Sequence, residues 1–133
     1  MICVSTMYPN PPGSVFNLQH YLEVHLPLAI NLLHQHFAIA PDRIDVLANG
    51  KGFDGTPASA PYHCVTNLYF KTSQDVDKLL ALLGSEDAER LLVADWPNYT
   101  QADPVPQISV CHSLDPAELI AKATGVTAAI ATT

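Results

Sequence analysis

Residues 21 to 28 read YLEVHLPL, an apolar run that carries one histidine, His25, and two positions later a proline, Pro27. The proline either ends a helix here or bends it, and the histidine is either a packed core residue or the working base of a site. Spacing residues about 100° apart puts Leu18, Leu22, His25, Ala29, Leu32 and His36 near one line, so the apolar stripe keeps its phase through the proline. Pro27 falls on the opposite side with His20, Glu23 and His34, where the carbonyl it releases at Glu23 faces solvent. An interior proline costs ~3 kcal/mol, and this placement limits the damage while bending the helix toward the core. One bent helix from Leu18 to about Phe37, capped by Asn17, is therefore expected, with His25 on its inner side.

Outward from this helix the punctuation is clear. MICVSTMY has the composition of a strand and stops near Tyr8, because the following PNPPG cannot continue a ladder. RIDVLA is a second strand. NGKGFDGTPASAP is a loop without phosphate-loop spacing, and Tyr62 to Phe70 is a third strand. Its alternation puts His63, Val65, Asn67 and Tyr69 on one face. A helix capped by Thr72 or Ser73 closes at Gly84, and a second helical piece restarts at Ser85. WPNYTQADPVP, interrupted by three prolines, is expected to be irregular, and QISVCHSL to be the fourth strand. A last helix begins at DPAEL and ends at Gly125, with a loosely held tail beyond. The order βαββαβ is that of a ferredoxin-like α+β fold, an antiparallel four-stranded sheet with helices on one face and an extra C-terminal helix. The other sheet face is too apolar to stand bare, so a homodimer is expected.

The 133 residues fit one domain, and 48% apolar with 14% charged residues is a globular composition. A formal charge of −7 repels phosphate backbones and anionic membrane surfaces, which argues against nucleic-acid and membrane partners. Cys3, Cys64 and Cys111 match neither a disulfide framework nor a zinc-site spacing, and no apolar run approaches the ~18 residues of a membrane span. A reduced, cytoplasmic setting is the expectation. His34 and His36 point to different helix faces, which speaks against a joint metal site.

Three polar features bear on function. His25 on the apolar stripe suits proton transfer near neutral pH if it faces a cavity, and is otherwise a satisfied core residue. The stretch DWPNYT, Asp95 to Thr100, concentrates an acid, an indole, an amide and a phenol, and either lines a pocket or forms a rigid connector. Asn67 in mid-strand needs a partner if buried, whether protein or ligand.

YLEVHLPL, a YHCVTNLYF strand and DWPNYT followed by PQISV resemble, in that order, the EthD-like family, over about residues 1–111. Residues 112–133 form an extension outside it. The resemblance implies a dimeric α/β barrel in which two subunits pack sheet to sheet. It also implies a link to ether degradation by oxygenase systems or to dehydratase or decarboxylase chemistry, while related α/β-barrel proteins include isomerases, cyclases and cofactor-free oxygenases acting on aromatic or lactone substrates. It carries His25 onto the family's histidine and Asp95, Asn98 and Tyr99 onto its late polar motif. Two functions follow as expectations. One is a lyase or isomerase without metal or organic cofactor, with His25, Asp95 and Tyr99 catalytic and Tyr21, Asn67, Trp96 and Asn98 contacting a small cyclic or aromatic substrate. The other is a non-catalytic protein that binds a small apolar metabolite or supports an oxygenase.

Overall fold

The strands form where β-branched and aromatic residues alternate between Gly- and Pro-rich stops: β1 Ile2–Pro9, β2 Arg43–Ala48, β3 Tyr62–Phe70 and β4 Val105–Val110. The computed structural model describes residues 1–131, with side chains described as far as residue 125. The strands pair antiparallel in the order β2-β3-β1-β4, with Val4 opposite Leu68 and Ile108. Helices α1 Leu18–His20 and α2 Leu26–Phe37 lie between β1 and β2, α3 Ser73–Leu83 between β3 and β4, and α4 Pro116–Ala131 at the end.

Both hydrophobic clusters draw on one sheet face. In the aliphatic cluster Val4 and Phe70 meet Leu32 and Leu33 of α2 and Val76, Leu79 and Leu82 of α3. In the aromatic cluster Tyr8 and Cys64 meet Tyr21 and Tyr99. Cys3, Ser5, Met7, Val65, Asn67 and Tyr69 point to the other face and enter neither cluster.

Several sequence expectations need correction. The stretch after Trp96 is more ordered than its prolines suggest: Val93–Asn98 is a 3₁₀ helix containing Pro97. Strand β4 starts earlier than Gln107 and includes Pro106, tolerable because β4 is an edge strand bonded only to β1. Helix α4 runs through Gly125 to Ala131 instead of ending there. Of the tail expected to be loosely held, residues 132 and 133 lie outside the described residues. The loop from Asn49 to Pro61 is organised around Asp54, whose carboxylate accepts the Thr56 N–H and hydroxyl and the Ser59 hydroxyl.

Two departures matter most for the site. Leu22, placed on the inner stripe with His25, is exposed, because residues Tyr21–His25 form a π-helical turn that shifts the phase before His25, and His36, in the last turn of α2, is exposed beside Asp87 at 2.9 Å. His63 leaves its alternation because the β1–β3 register slips where Tyr8 faces Cys64 and Pro9 faces Tyr62, making His63 the bulged residue.

Leu33 is fully enclosed, so Leu33→Ala is expected to lower unfolding free energy by about 2–5 kcal/mol in urea titration. Asn17→Ala, which removes only the helix cap, should cost about 1 kcal/mol in the same measurement.

Candidate active site

The site begins with the cap. Asn17 accepts the His20 N–H on its side-chain oxygen at 3.1 Å and donates its own N–H to the Tyr99 carbonyl at 2.8 Å. This ties the start of the helix to the DWPNYT segment. In the π turn that follows, the Leu26 N–H reaches back to the Tyr21 carbonyl. Pro27 comes next, exposed as expected, with no N–H to offer Glu23 and a ring that would crowd that carbonyl in a regular helix. The wider turn relieves the crowding, and the backbone stays helical from His20 to Leu26.

The turn also changes which side chains meet. Residues five apart stand about 140° apart on an α-helix, but i→i+5 bonding brings them toward one side. His20 and His25 accordingly converge on Asp95 in the 3₁₀ helix. His25 Nδ1 lies 3.1 Å from Asp95 Oδ2, His20 Nε2 lies 2.9 Å from Oδ1, and Asn98 Nδ2 donates to Oδ1 at 2.8 Å. An ionised carboxylate only accepts, so His25 carries a proton on Nδ1 and His20 on Nε2. That leaves the His25 Nε2 lone pair without a partner among the described residues. None of their buried side-chain nitrogens or oxygens is unpaired, so Nε2 reaches solvent although the side chain is only 8% exposed.

Rings enclose the rest of His25. Its centroid is 4.5 Å from that of Tyr99 and 5.8 Å from that of Tyr21, against which it stacks. The Tyr99 hydroxyl lies 3.1 Å from the Tyr8 hydroxyl, and that of Tyr21 lies 2.5 Å from Thr66 Oγ1. Trp96 is half-buried against the aromatic cluster, and Asn98 is exposed beyond its bond to Asp95. Asn67, expected beside His25, lies on the opposite sheet face, where it accepts the Ser5 hydroxyl at 2.6 Å. The structure thus joins His25, Asp95, Tyr99, Tyr21, Trp96 and Asn98, and separates Asn67 from them.

Two members were missed from sequence. Regular helical spacing puts His20 outward beside Pro27, and the sequence marks Tyr8 only as the end of a strand. The signal for His20 was present: a proline two residues past His25 invites a π turn, and two histidines five apart then share a side.

Electrostatics follow from this arrangement. Burial lowers the His25 pKa below its ordinary value; the hydrogen bond and charge of Asp95 oppose this, and His20 adds to the lowering. Burial pushes the Asp95 carboxyl up, but the hydrogen bonds from Asn98, His20 and His25 outweigh it and hold the carboxyl below the usual range. Burial raises the Tyr8, Tyr21 and Tyr99 phenols, which stay protonated, and raises the Cys64 thiol to about 11. Among the described residues no group of three or more His, Cys, Asp or Glu is placed to hold a metal ion. No helix among them is long and apolar enough to cross a membrane.

The molecule is thus an α+β protein whose antiparallel sheet and helical layer hold an imidazole–carboxylate pair in an aromatic setting. The EthD domain family matches residues 17–103, which include His20, Tyr21, His25, Asp95, Asn98 and Tyr99, and the chain belongs to that family. It is similar in structure to an EthD-like protein from Ralstonia eutropha JMP134, with 23% identity, a TM-score of 0.63, and coverage of 87% of this chain and 96% of the other. It is also similar to an EthD family protein from Bacillus halodurans C-125, at 12% identity and a TM-score of 0.55, covering 84% of this chain and 99% of that one. At these identities the likeness is one of fold. No curated protein matches the chain.

The lowered His25 and Asp95 values mean that the folded site binds fewer protons than the unfolded chain. Stability is then present above the ordinary His value of 6.5 and falls as the pH drops below it, with a further loss below 3.8. The His25 ring signal in a proton NMR titration is expected to have its midpoint below 6.5, and Asp95→Asn should move it lower still by removing the opposing charge.

Proposed function

We propose that this protein is a lyase or isomerase that needs neither metal nor organic cofactor and moves a proton on a small cyclic or aromatic carbonyl compound. The observation that carries this reading is the free, solvent-reaching Nε2 of a histidine whose Nδ1–H is bonded to a carboxylate. In the reaction, Nε2 takes the proton from the carbon next to the carbonyl, and the C–H electron pair passes toward the carbonyl oxygen. Asp95 stabilises the imidazolium that forms, and His20 and Asn98 hold Asp95 in place. The electrons then return either by reprotonation at another carbon, an isomerisation, or by expulsion of a β-substituent, an elimination. Tyr99, protonated and against the His25 ring, is the acid assigned to the developing enolate.

Residues 1–111 are read as the working domain and 112–133 as an extension. The strand order suits a ferredoxin-like subunit, and a second copy is assigned to the sheet face bearing Ser5, Met7, Val65 and Asn67, giving a dimeric α/β barrel. Asn67 then belongs to the interface. Three free cysteines suit a reducing, cytoplasmic setting. The name of the Bacillus relative refers to ethyl tert-butyl ether, and ether or aromatic breakdown is the process to which this chain is assigned.

The second reading, an accessory protein that holds an apolar metabolite unchanged, is favoured by the close packing of Tyr21 and Tyr99 around His25. Incubation of cyclic ketones and lactones with the protein in D₂O separates the two. Deuterium uptake at the carbon next to the carbonyl is expected, reduced about 10²- to 10⁴-fold in His25→Gln. Uptake that survives His25→Gln unchanged excludes this histidine as the base, and a ligand recovered unlabelled from wild-type protein supports the carrier.

A further inference from the structure

A cleft of about 430 Å³ is lined by the β1–α1 connection, the end of β2, the following loop and His63. Its size is that of a small-molecule site, of about 300–1,000 Å³. Phe16, Leu18, Ala48 and Pro57 give it apolar walls.

The polar groups in it are fixed by the fold. Asn10 donates its amide N–H bonds to the carbonyls of Pro57 and Ala60, both at 3.0 Å, which turns its oxygen toward the Ser14 hydroxyl at 3.2 Å. Ser14 Oγ in turn lies 2.7 Å from His63 Nε2. The bulge at His63 is what aims this ring: it stacks on Phe16 at 5.9 Å between centroids instead of following the alternation of β3. Lys51 also lines the cleft and makes no ion pair or hydrogen bond among the described residues. The acid of the same loop, Asp54, is absent from the lining and is occupied by Thr56 and Ser59.

We infer that this cleft binds a small aromatic or cyclic carboxylate, its ring against Phe16 and Leu18 and its carboxylate between Lys51 and the Ser14–His63 pair. The chemistry matches on each side. A flat ring covers the apolar walls, and an anion meets the ammonium of Lys51, unpaired among the described residues, and the Ser14 O–H once it turns from Asn10 Oδ1, in a chain that otherwise repels anions. The site is separate from the proton-transfer reading, because neither His25 nor Asp95 lines it. Binding of a carboxylate is assigned to this cleft, and no turnover.

The test titrates benzoate, and benzamide as its uncharged counterpart, into ¹⁵N-labelled protein and follows amide shifts. Benzoate is expected to shift Ser14, Phe16, Lys51 and His63 and to saturate at millimolar concentration, with benzamide about fivefold weaker, the upper range for an exposed ion pair. Lys51→Gln, an exposed loop change that leaves the core intact, should bring benzoate down to the benzamide level. Ser14→Ala should weaken both. No saturation by benzoate, equal affinity for the two probes, or shifts indifferent to Lys51→Gln would overturn the inference. None of these outcomes bears on deuterium exchange by His25, so the two readings fail separately.

Discussion

Everything at the candidate site depends on one carboxylate. Asp95 accepts N–H groups from His20, His25 and Asn98, and these come from both ends of the chain's helical layer. A half-buried acid with three donors is held ionised and in one orientation, and each donor is fixed in turn. The carboxylate selects the tautomer of two histidines and fastens the 3₁₀ helix to the first helical run. Without it, His25 would keep its burial but lose the partner that directs its proton to Nδ1.

The surrounding rings extend this control. Tyr8, Phe16, Tyr21 and Tyr99 pack at centroid distances of 5.1 to 5.6 Å, so the imidazole of His25 sits in a low-dielectric wall with one edge free. Burial and the carboxylate act on His25 in opposite directions, and burial prevails. A neutral imidazole whose conjugate acid is stabilised by an adjacent anion is the electrostatic condition for accepting a proton near neutral pH. The aliphatic cluster around Leu33 and Phe70 supplies the rigid platform, and the aromatic one supplies the chemistry.

Much of this was legible in the residues. Proline and glycine stops placed the first three strands, Pro106 misplaced the start of the fourth, and the apolar stripe placed His25 inward. The order of YLEVHLPL, YHCVTNLYF and DWPNYT pointed to the family that residues 17–103 match. What escaped were departures from a fixed period. A phase of 100° per residue puts Leu22 inward and His20 outward, and one π turn reverses both. Strict alternation put His63 with Asn67, and one bulge separated them. The proline count concealed a 3₁₀ helix, which holds Pro97 within it. Asn67 drew attention as a polar residue in mid-strand, but its partner was Ser5 on the neighbouring strand, and a single sequence does not show which strands are neighbours.

The π turn has a further consequence for how this helix can change. It is equivalent to one extra residue inserted into an α-helix, so its loss would shorten the chain by one position without re-registering α2 against the sheet. The core face through Leu32 and Leu33 and the pair of histidines are therefore governed by different parts of the same helix. Packing can be conserved while the number of imidazoles at the carboxylate drifts, and Pro27, by disfavouring a regular turn at this point, acts as the lock that holds the two-histidine form.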